Sequence, residues 1–431
     1  METHLADFIR DTEPGRTAEE ILRRCVHCGF CNATCPTYQL FGDELDGPRG
    51  RIYLIKQVLE GVTPTEKTRT HLDRCLTCRA CETTCPSGVH FSRLLDIGRA
   101  VVEQHVPRRG SDALLRSALK NVVPRSGLFG AAMKTGQALR PLLPKALRAK
   151  IPPVPSVPLL SLPDMPSGAQ SRTHPRQLIA LAGCAQASMY PNINGATRRV
   201  LDLLGIQMIE PQGAGCCGAV RFHLNDVEAA RADARRNIDA WWPLLQAQAH
   251  VEGLVMTASG CGVQVRDYAH LLQDDAHYAA KAARVAQLTR DVSEVIAAER
   301  ERLMLLLSVC APLPKSECML AFHSPCTLQH GQKVTGVVEA LLTAAGFTLQ
   351  AVADAHLCCG SAGTYSILQP DIALRLRENK LHALTASSPA QIASANVGCM
   401  AHLQAGTALP VRHWIELLDA RLNLLATPVS I

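Results

Sequence analysis

Two runs of cysteine, fifty residues apart, carry the most chemistry in this chain. The first is Cys25-Val-His-Cys28-Gly-Phe-Cys31-Asn-Ala-Thr-Cys35-Pro36. The second is Cys75-Leu-Thr-Cys78-Arg-Ala-Cys81-Glu-Thr-Thr-Cys85-Pro86. Both follow C-x2-C-x2-C-x3-C-P. Three thiolates so spaced wrap one set of irons without stretching the backbone, and the proline after the fourth turns the chain away. Zinc is the nearest competitor, because C-x2-C pairs also build tetrahedral sulfur sites. A third cysteine two residues later, then Cys-Pro, departs from the usual zinc spacing and favours iron–sulfur.

The paired run resembles that of bacterial two-cluster ferredoxins. That resemblance implies two 4Fe-4S clusters, with the fourth cysteine of each run serving the other cluster. Cys25, Cys28, Cys31 and Cys85 would hold the first. Cys75, Cys78, Cys81 and Cys35 would hold the second.

A second repeat follows on a larger scale. Its first copy runs Leu178-Ile-Ala-Leu-Ala-Gly-Cys184, then Cys216-Cys217-Gly218, then Ser259-Gly260-Cys261-Gly262. Its second runs Met319-Leu-Ala-Phe-His-Ser-Pro-Cys326, then Cys358-Cys359-Gly360, then Val397-Gly398-Cys399-Met400. Each copy has enough thiolates for an ordinary 4Fe-4S centre, or the two could share one. Gly213-Ala-Gly215-Cys-Cys-Gly218 also matches the dinucleotide fingerprint. The second copy keeps only Cys-Cys-Gly of it, so sulfur chemistry outranks nucleotide binding.

The elements that position these groups can be read coarsely. Thr17-Ala-Glu-Glu20 has a capping pattern that opens a helix into Cys25, and Ile52–Glu60 and Glu66–Arg74 read as helices between the runs. The amino-terminal domain, 1–105, is therefore expected to be a largely helical ferredoxin. Arg49, Arg51, Arg74 and Arg79 are expected to offset cluster charge. Residues 106–175, with prolines at 107, 124, 141 and 144 and Ile-Pro-Pro-Val-Pro-Ser-Val-Pro at 151–158, read as a semi-extended connector poor in regular structure. In the repeats, helix-like Ala196–Leu204 precedes apolar Gln207–Ile209, and Val334–Ala345 precedes Phe347–Val352. This βαβ pattern makes 176–300 and 301–431 two α/β Cys-Cys-Gly modules, an α+β multidomain chain with a pseudo-twofold relation. Each cysteine group should then sit at the carboxyl end of a strand, where open α/β sheets assemble their sites.

The chain has 431 residues, 47% of them hydrophobic, enough for about two to four domains. Eighteen cysteines without a basic, apolar leader read as reduced thiols in a cytoplasmic setting rather than a disulfide framework. No run approaches the length of a membrane span. The net charge of +6 is uneven: between Arg108 and Lys150 ten Lys/Arg face one acid, Asp112, giving +9 there and −3 elsewhere. Those cations are mixed with Leu114, Leu115, Leu119, Leu128 and Leu142. Such a stretch could lie on an anionic membrane, cover an acidic partner or serve as a solvated linker.

Two four-cysteine runs followed by two Cys…Cys-Cys-Gly…Cys modules resemble the iron–sulfur subunits of glycolate oxidase. Gly47-Pro-Arg-Gly-Arg-Ile-Tyr-Leu-Ile-Lys56 favours that branch over the related subunits of anaerobic glycerol-3-phosphate dehydrogenase, lactate-utilisation proteins and heterodisulfide reductase. The resemblance implies FAD-containing partner subunits that oxidise glycolate to glyoxylate. This chain would pass their electrons towards a membrane quinone from a peripheral position on the cytoplasmic face. It implies no carbon chemistry here, hence no catalytic residue, and no nucleic-acid partner.

The fullest Cys-Cys-Gly pattern ends in C-x-x-C, and here Gln264 and His402 stand where the last cysteines would be. That weakens the rival expectation of disulfide reduction at these modules. His27 is expected to tune a cluster by hydrogen bonding. His323 and His330, flanking Cys326, are expected as satisfied structural histidines, with a proton relay as the alternative. Cys310 and Cys318 read as inert thiols.

Overall fold

The protein is described here from a computed structural model covering residues 1–142, 151, 174–247 and 250–423. The first long helix spans Glu13–Arg24, a turn earlier than the Thr17 pattern suggests. Thr12 caps it instead, its Oγ1 accepting from the Gly15 N–H at 3.1 Å, and Pro14 occupies a first-turn position that needs no donor. Helices Pro48–Leu59, Glu66–Asp73 and Phe91–His105 follow. Their apolar faces, through Leu22, Ile55, Leu59, Leu72, Leu94 and Leu95, bury one another and set the expected helical frame around both cysteine runs.

The connector departs from expectation in its first half. Gly110–Val122 and Ser126–Ala138 are helices. Pro107, Pro124 and Pro141 fall before, between and after them, so the prolines punctuate helices rather than forbid them. Arg108 and Arg116 tie the first helix to Asp73, with Arg108 Nη1 2.7 Å from Asp73 Oδ2. Of the proline-rich run 151–158, all but Ile151 lies outside the described residues.

Beyond 174 the chain builds two parallel sheets. Strands β1 (Arg176–Ala180), β2 (Ile206–Ile209), β3 (Val251–Met256) and β4 (Thr289–Asp291) are ordered β2-β1-β3-β4. Strands β5 (Met319–His323), β6 (Thr348–Gln350), β7 (Gln391–Ser394) and β8 (Val411–His413) repeat that order as β6-β5-β7-β8. Helix Asn192–Leu203 makes the β1-to-β2 crossover and Val337–Ala344 the β5-to-β6 crossover, as the alternating pattern predicts. The central strands are apolar without alternation, as parallel strands covered on both faces must be.

The two modules share a core in which Val200, Ile296, Leu342 and Trp414 are buried together. Arg199 clamps Asp419 across it, Nε to Oδ1 at 3.0 Å. The matching strand-to-helix junctions of the two modules also meet: Ser259 N–H donates to the Ala395 carbonyl at 3.2 Å. Ser259 and Thr327 hydroxyls lie 2.7 Å apart.

Candidate metal centres

Each cysteine run coils through alternate left-handed residues. His27 and Gly29 have φ of 59° and 85°, and Thr77 and Arg79 have 53° and 62°. A non-glycine residue pays about 1–2 kcal/mol for that conformation, so the packing around the loops must hold it. The turns aim thiols and N–H groups inward; Thr77 N–H reaches Cys75 Sγ at 3.4 Å.

Two cavities result. The first is lined by Cys25, Cys28, Cys31 and Cys85, with Cys81 also in its wall. The second is lined by Cys35, Cys75, Cys78 and Cys81. Each draws three cysteines from one run and its fourth from the other, the same quartets that the sequence pattern implies. The first opens outward: Cys28 is exposed, and beside it Val26 and Phe30 are 69% and 64% exposed. The second lies deeper, under Leu76 and Leu95.

Burial raises the pKa of Cys25, Cys75 and Cys81, and that of Cys31 to about 11, with neighbouring thiolates adding to it. Crowded thiolates without a cation repel one another, and bound metal supplies the missing positive charge. All-sulfur quartets fit 4Fe-4S clusters in donor chemistry and number.

Of the four arginines expected to offset cluster charge, Arg51 comes within hydrogen-bonding reach of a thiol, while Arg49 and Arg79 line the first and second cavities. Arg51 is fully buried, with Nη1 4.0 Å from Cys35 Sγ and 3.2 Å from Thr37 Oγ1. Its Nη2 is 3.5 Å from Asp46 Oδ1, and Asp46 also takes Arg74 Nη1 at 2.7 Å. Arg49 and Arg79 are likewise bound to carboxylates, Glu44 and Asp267.

In the modules, adjacency of three strands brings their loops together. Cys184 follows β1, the Cys216–Cys217 pair follows β2, and Cys261 lies in helix Ser259–Arg266 after β3. Their thiols touch in sequence, Cys184 to Cys216, Cys216 to Cys217, Cys217 to Cys261. Cys326, Cys358, Cys359 and Cys399 repeat the arrangement. The motif's glycine has a steric reason. Gly218 and Gly360 have φ of 89° and 88°, and a Cβ there would lie 3.1 Å from Ala230 O or 2.6 Å from Ala373 O. Their N–H groups donate to Cys216 and Cys358 Sγ, each at 3.4 Å.

One contact had no sequence signal. Cys326 meets Cys78, so the second cavity adjoins the thiols of the second module. Tyr365, packed beside them, donates its hydroxyl to the Arg74 carbonyl at 2.9 Å.

The histidines divide. His330 shares a hydrogen bond with Thr83 Oγ1 at 3.1 Å and donates Nε2 to the His356 carbonyl at 2.9 Å, as a satisfied structural group does. His402 directs Nε2 to the Ala373 carbonyl, 3.1 Å away. Gln264 is buried on the helix that carries Cys261. His27 lines the first cavity. His323 departs from expectation: Nδ1 lies 3.0 Å from Ser394 Oγ, while its buried Nε2 has no hydrogen-bond partner. Cys310 is bonded to the Leu306 and Arg421 carbonyls, and both it and Cys318 are partly buried.

Interlocked thiol quartets followed by a duplicated cysteine module define an iron–sulfur protein. Residues 21–89 match the 4Fe-4S dicluster domain family, and 179–266 and 320–404 match the cysteine-rich domain family. Over 423 residues, 98% of this chain and 100% of the relative, the sequence is 51% identical to the glycolate oxidase iron–sulfur subunit of Escherichia coli (strain K12). It is 31% identical to the probable glycolate oxidase iron–sulfur subunit of Bacillus subtilis (strain 168), over 91% of this chain and 90% of that one. Lactate utilization protein A of an Exiguobacterium strain is 25% identical over 55% of this chain and 94% of its own length. The chain belongs to the family of glycolate oxidase iron–sulfur subunits. It is an iron–sulfur component of an oxidoreductase complex, carrying 4Fe-4S clusters.

Proposed function

We propose that this chain conducts electrons within a glycolate-oxidising complex, from FAD-containing partner subunits that form glyoxylate towards membrane quinone. The supporting observation is a continuous file of sulfur sites. It begins at exposed Cys28, crosses the Cys81 wall between the two cavities, and reaches the second module where Cys78 meets Cys326. Clusters bound there supply reversible one-electron storage. The protein's part is to fix the file's order, exclude water from its middle and set charge around it.

In this account Cys25, Cys28, Cys31 and Cys85 ligate the outer cluster, and Cys75, Cys78, Cys81 and Cys35 the inner one. Cys326, Cys358, Cys359 and Cys399 hold a third centre on the route. Cys184, Cys216, Cys217 and Cys261 form a further sulfur site beside it. Residues 1–105, 106–175, 176–300 and 301–431 serve as ferredoxin domain, connector and the two modules.

Among the described residues no helix is long and apolar enough to cross a membrane. Helices Gly110–Val122 and Ser126–Ala138 instead expose Leu114, Leu115 and Leu128 amid the cations noted above. That composition supports peripheral attachment to the cytoplasmic face of the membrane.

The test is reconstitution of the complex with and without this chain. Glycolate-dependent reduction of a soluble quinone should require it and fail with Cys75→Ser, while glycolate still bleaches the partner's flavin. Equal quinone reduction without this chain would end the proposal. Lactate and glycerol 3-phosphate in place of glycolate test the substrate.

A further inference from the structure

The second module has a side chain at its thiols that the first lacks. His323 ends β5 three residues before Cys326, and the same position before Cys184 is Leu181. The imidazole is 2% exposed. One of its nitrogens and the sulfurs of Cys359 and Cys399 all lie within 4.8 Å of one another. Nδ1 is engaged by Ser394 Oγ at 3.0 Å, which leaves Nε2 buried and unpaired. Buried polar atoms without partners are rare and costly, and such an orphan beside two thiols asks for an electrophile. Ligating histidines characteristically bond their second nitrogen to a neighbouring polar group, the position Ser394 occupies.

We propose that His323 Nε2 is an iron ligand of the cluster in the second module, supplying nitrogen where the five-cysteine pattern supplies a fifth sulfur. This rests on the assignment of Cys326, Cys358, Cys359 and Cys399 to a cluster. A neutral imidazole brings less negative charge than a thiolate, and histidine-for-cysteine ligation raises cluster potentials. The two modules thereby differ in function. The second, touching Cys78 and ligated in part by nitrogen, draws electrons out of the ferredoxin half; the first, with Leu181, does not.

The experiment uses anaerobically purified full-length protein with 15N-labelled histidine, reduced in steps and examined by pulsed EPR beside His323→Leu and Cys399→Ser. The expected result is 15N coupling on one cluster signal of the unsubstituted protein, lost in His323→Leu. In Cys399→Ser that signal should vanish while the two ferredoxin signals persist. A third signal that lacks 15N coupling and is unchanged in His323→Leu overturns the ligand and leaves the cluster standing. About eight irons per chain and no third signal overturns both together. The coupling is read first in the unsubstituted protein, so a variant that fails to fold does not decide the matter.

Discussion

Cys78, in the second cysteine run, touches Cys326, three residues beyond the end of strand β5. The two belong to different domains and are 248 positions apart (326 − 78), yet Leu76, Cys358 and Tyr365 pack around them as one cluster. The contact makes the second module the continuation of the ferredoxin half. Cys326→Ser should therefore slow glycolate-to-quinone turnover at least about tenfold, equivalent to about 1.4 kcal/mol of barrier. Cys184→Ser, on the other module, should leave turnover within about twofold. Steady-state assays of the reconstituted complex distinguish the two.

Arg51 places a full positive charge beside Cys35 in the protein interior, balanced by Asp46. Arg51→Met removes that charge and leaves Asp46 with Arg74 and His71 only. Because Asp46 keeps those partners, the loss of Arg51 should cost about 1–3 kcal/mol of stability, chiefly from its broken hydrogen bonds. The inner cluster, deprived of a nearby cation, should fall in potential by on the order of 100 mV. Potentiometric EPR titration reads the shift, and denaturant midpoints read the loss.

Val26 and Phe30 stand exposed at the mouth of the outer cavity, beside exposed Cys28. Large apolar side chains in such a place suit a partner's approach. Val26→Glu together with Phe30→Glu should weaken capture of the flavoprotein subunits and lower glycolate-dependent reduction at least about tenfold. The visible and EPR spectra of the isolated chain should not change. Co-purification and spectroscopy of the same preparation check both halves.

The cysteine runs located the first two groups of thiols, because spacing within a short loop fixes local geometry; the exchange of the fourth cysteine between them came from the ferredoxin resemblance. The same holds for Cys-Cys-Gly: the left-handed φ of Gly218 and Gly360 is a local demand that only one residue meets cheaply. β2, expected at Gln207–Ile209 and found at Ile206–Ile209, and the crossover helices came through their apolar runs. Strands β4 and β8, three residues each, are too short to show a period. Helices Gly110–Val122 and Ser126–Ala138 were hidden by prolines that turned out to flank them. Contacts between distant segments left no trace in spacing: neither Cys78 with Cys326 nor the orphaned Nε2 of His323 is visible until the modules fold. His402, which stands where the C-x-x-C pattern has its last cysteine, turns its ring to the Ala373 carbonyl.

His413, fully buried at the junction of the modules, has its pKa lowered to about 3 by burial. In the unfolded chain it titrates near about 6.5. Between those values the unfolded state binds the extra proton, so stability rises with pH and is lost as pH falls below about 6.5. The loss attributable to this residue should reach about 2 kcal/mol at pH of about 5 relative to pH of about 8. His413→Asn, which cannot be protonated, should flatten that part of the profile; urea midpoints measured across the range show whether it does.

The most direct test of the electron path is iron and acid-labile sulfide per chain in anaerobically purified protein, with EPR of the reduced form. The account predicts at least about twelve irons, falling by about four in Cys85→Ser and by about four in Cys399→Ser. Protein that held zinc, or no metal, and still supported glycolate-dependent quinone reduction in the assembled complex would contradict it.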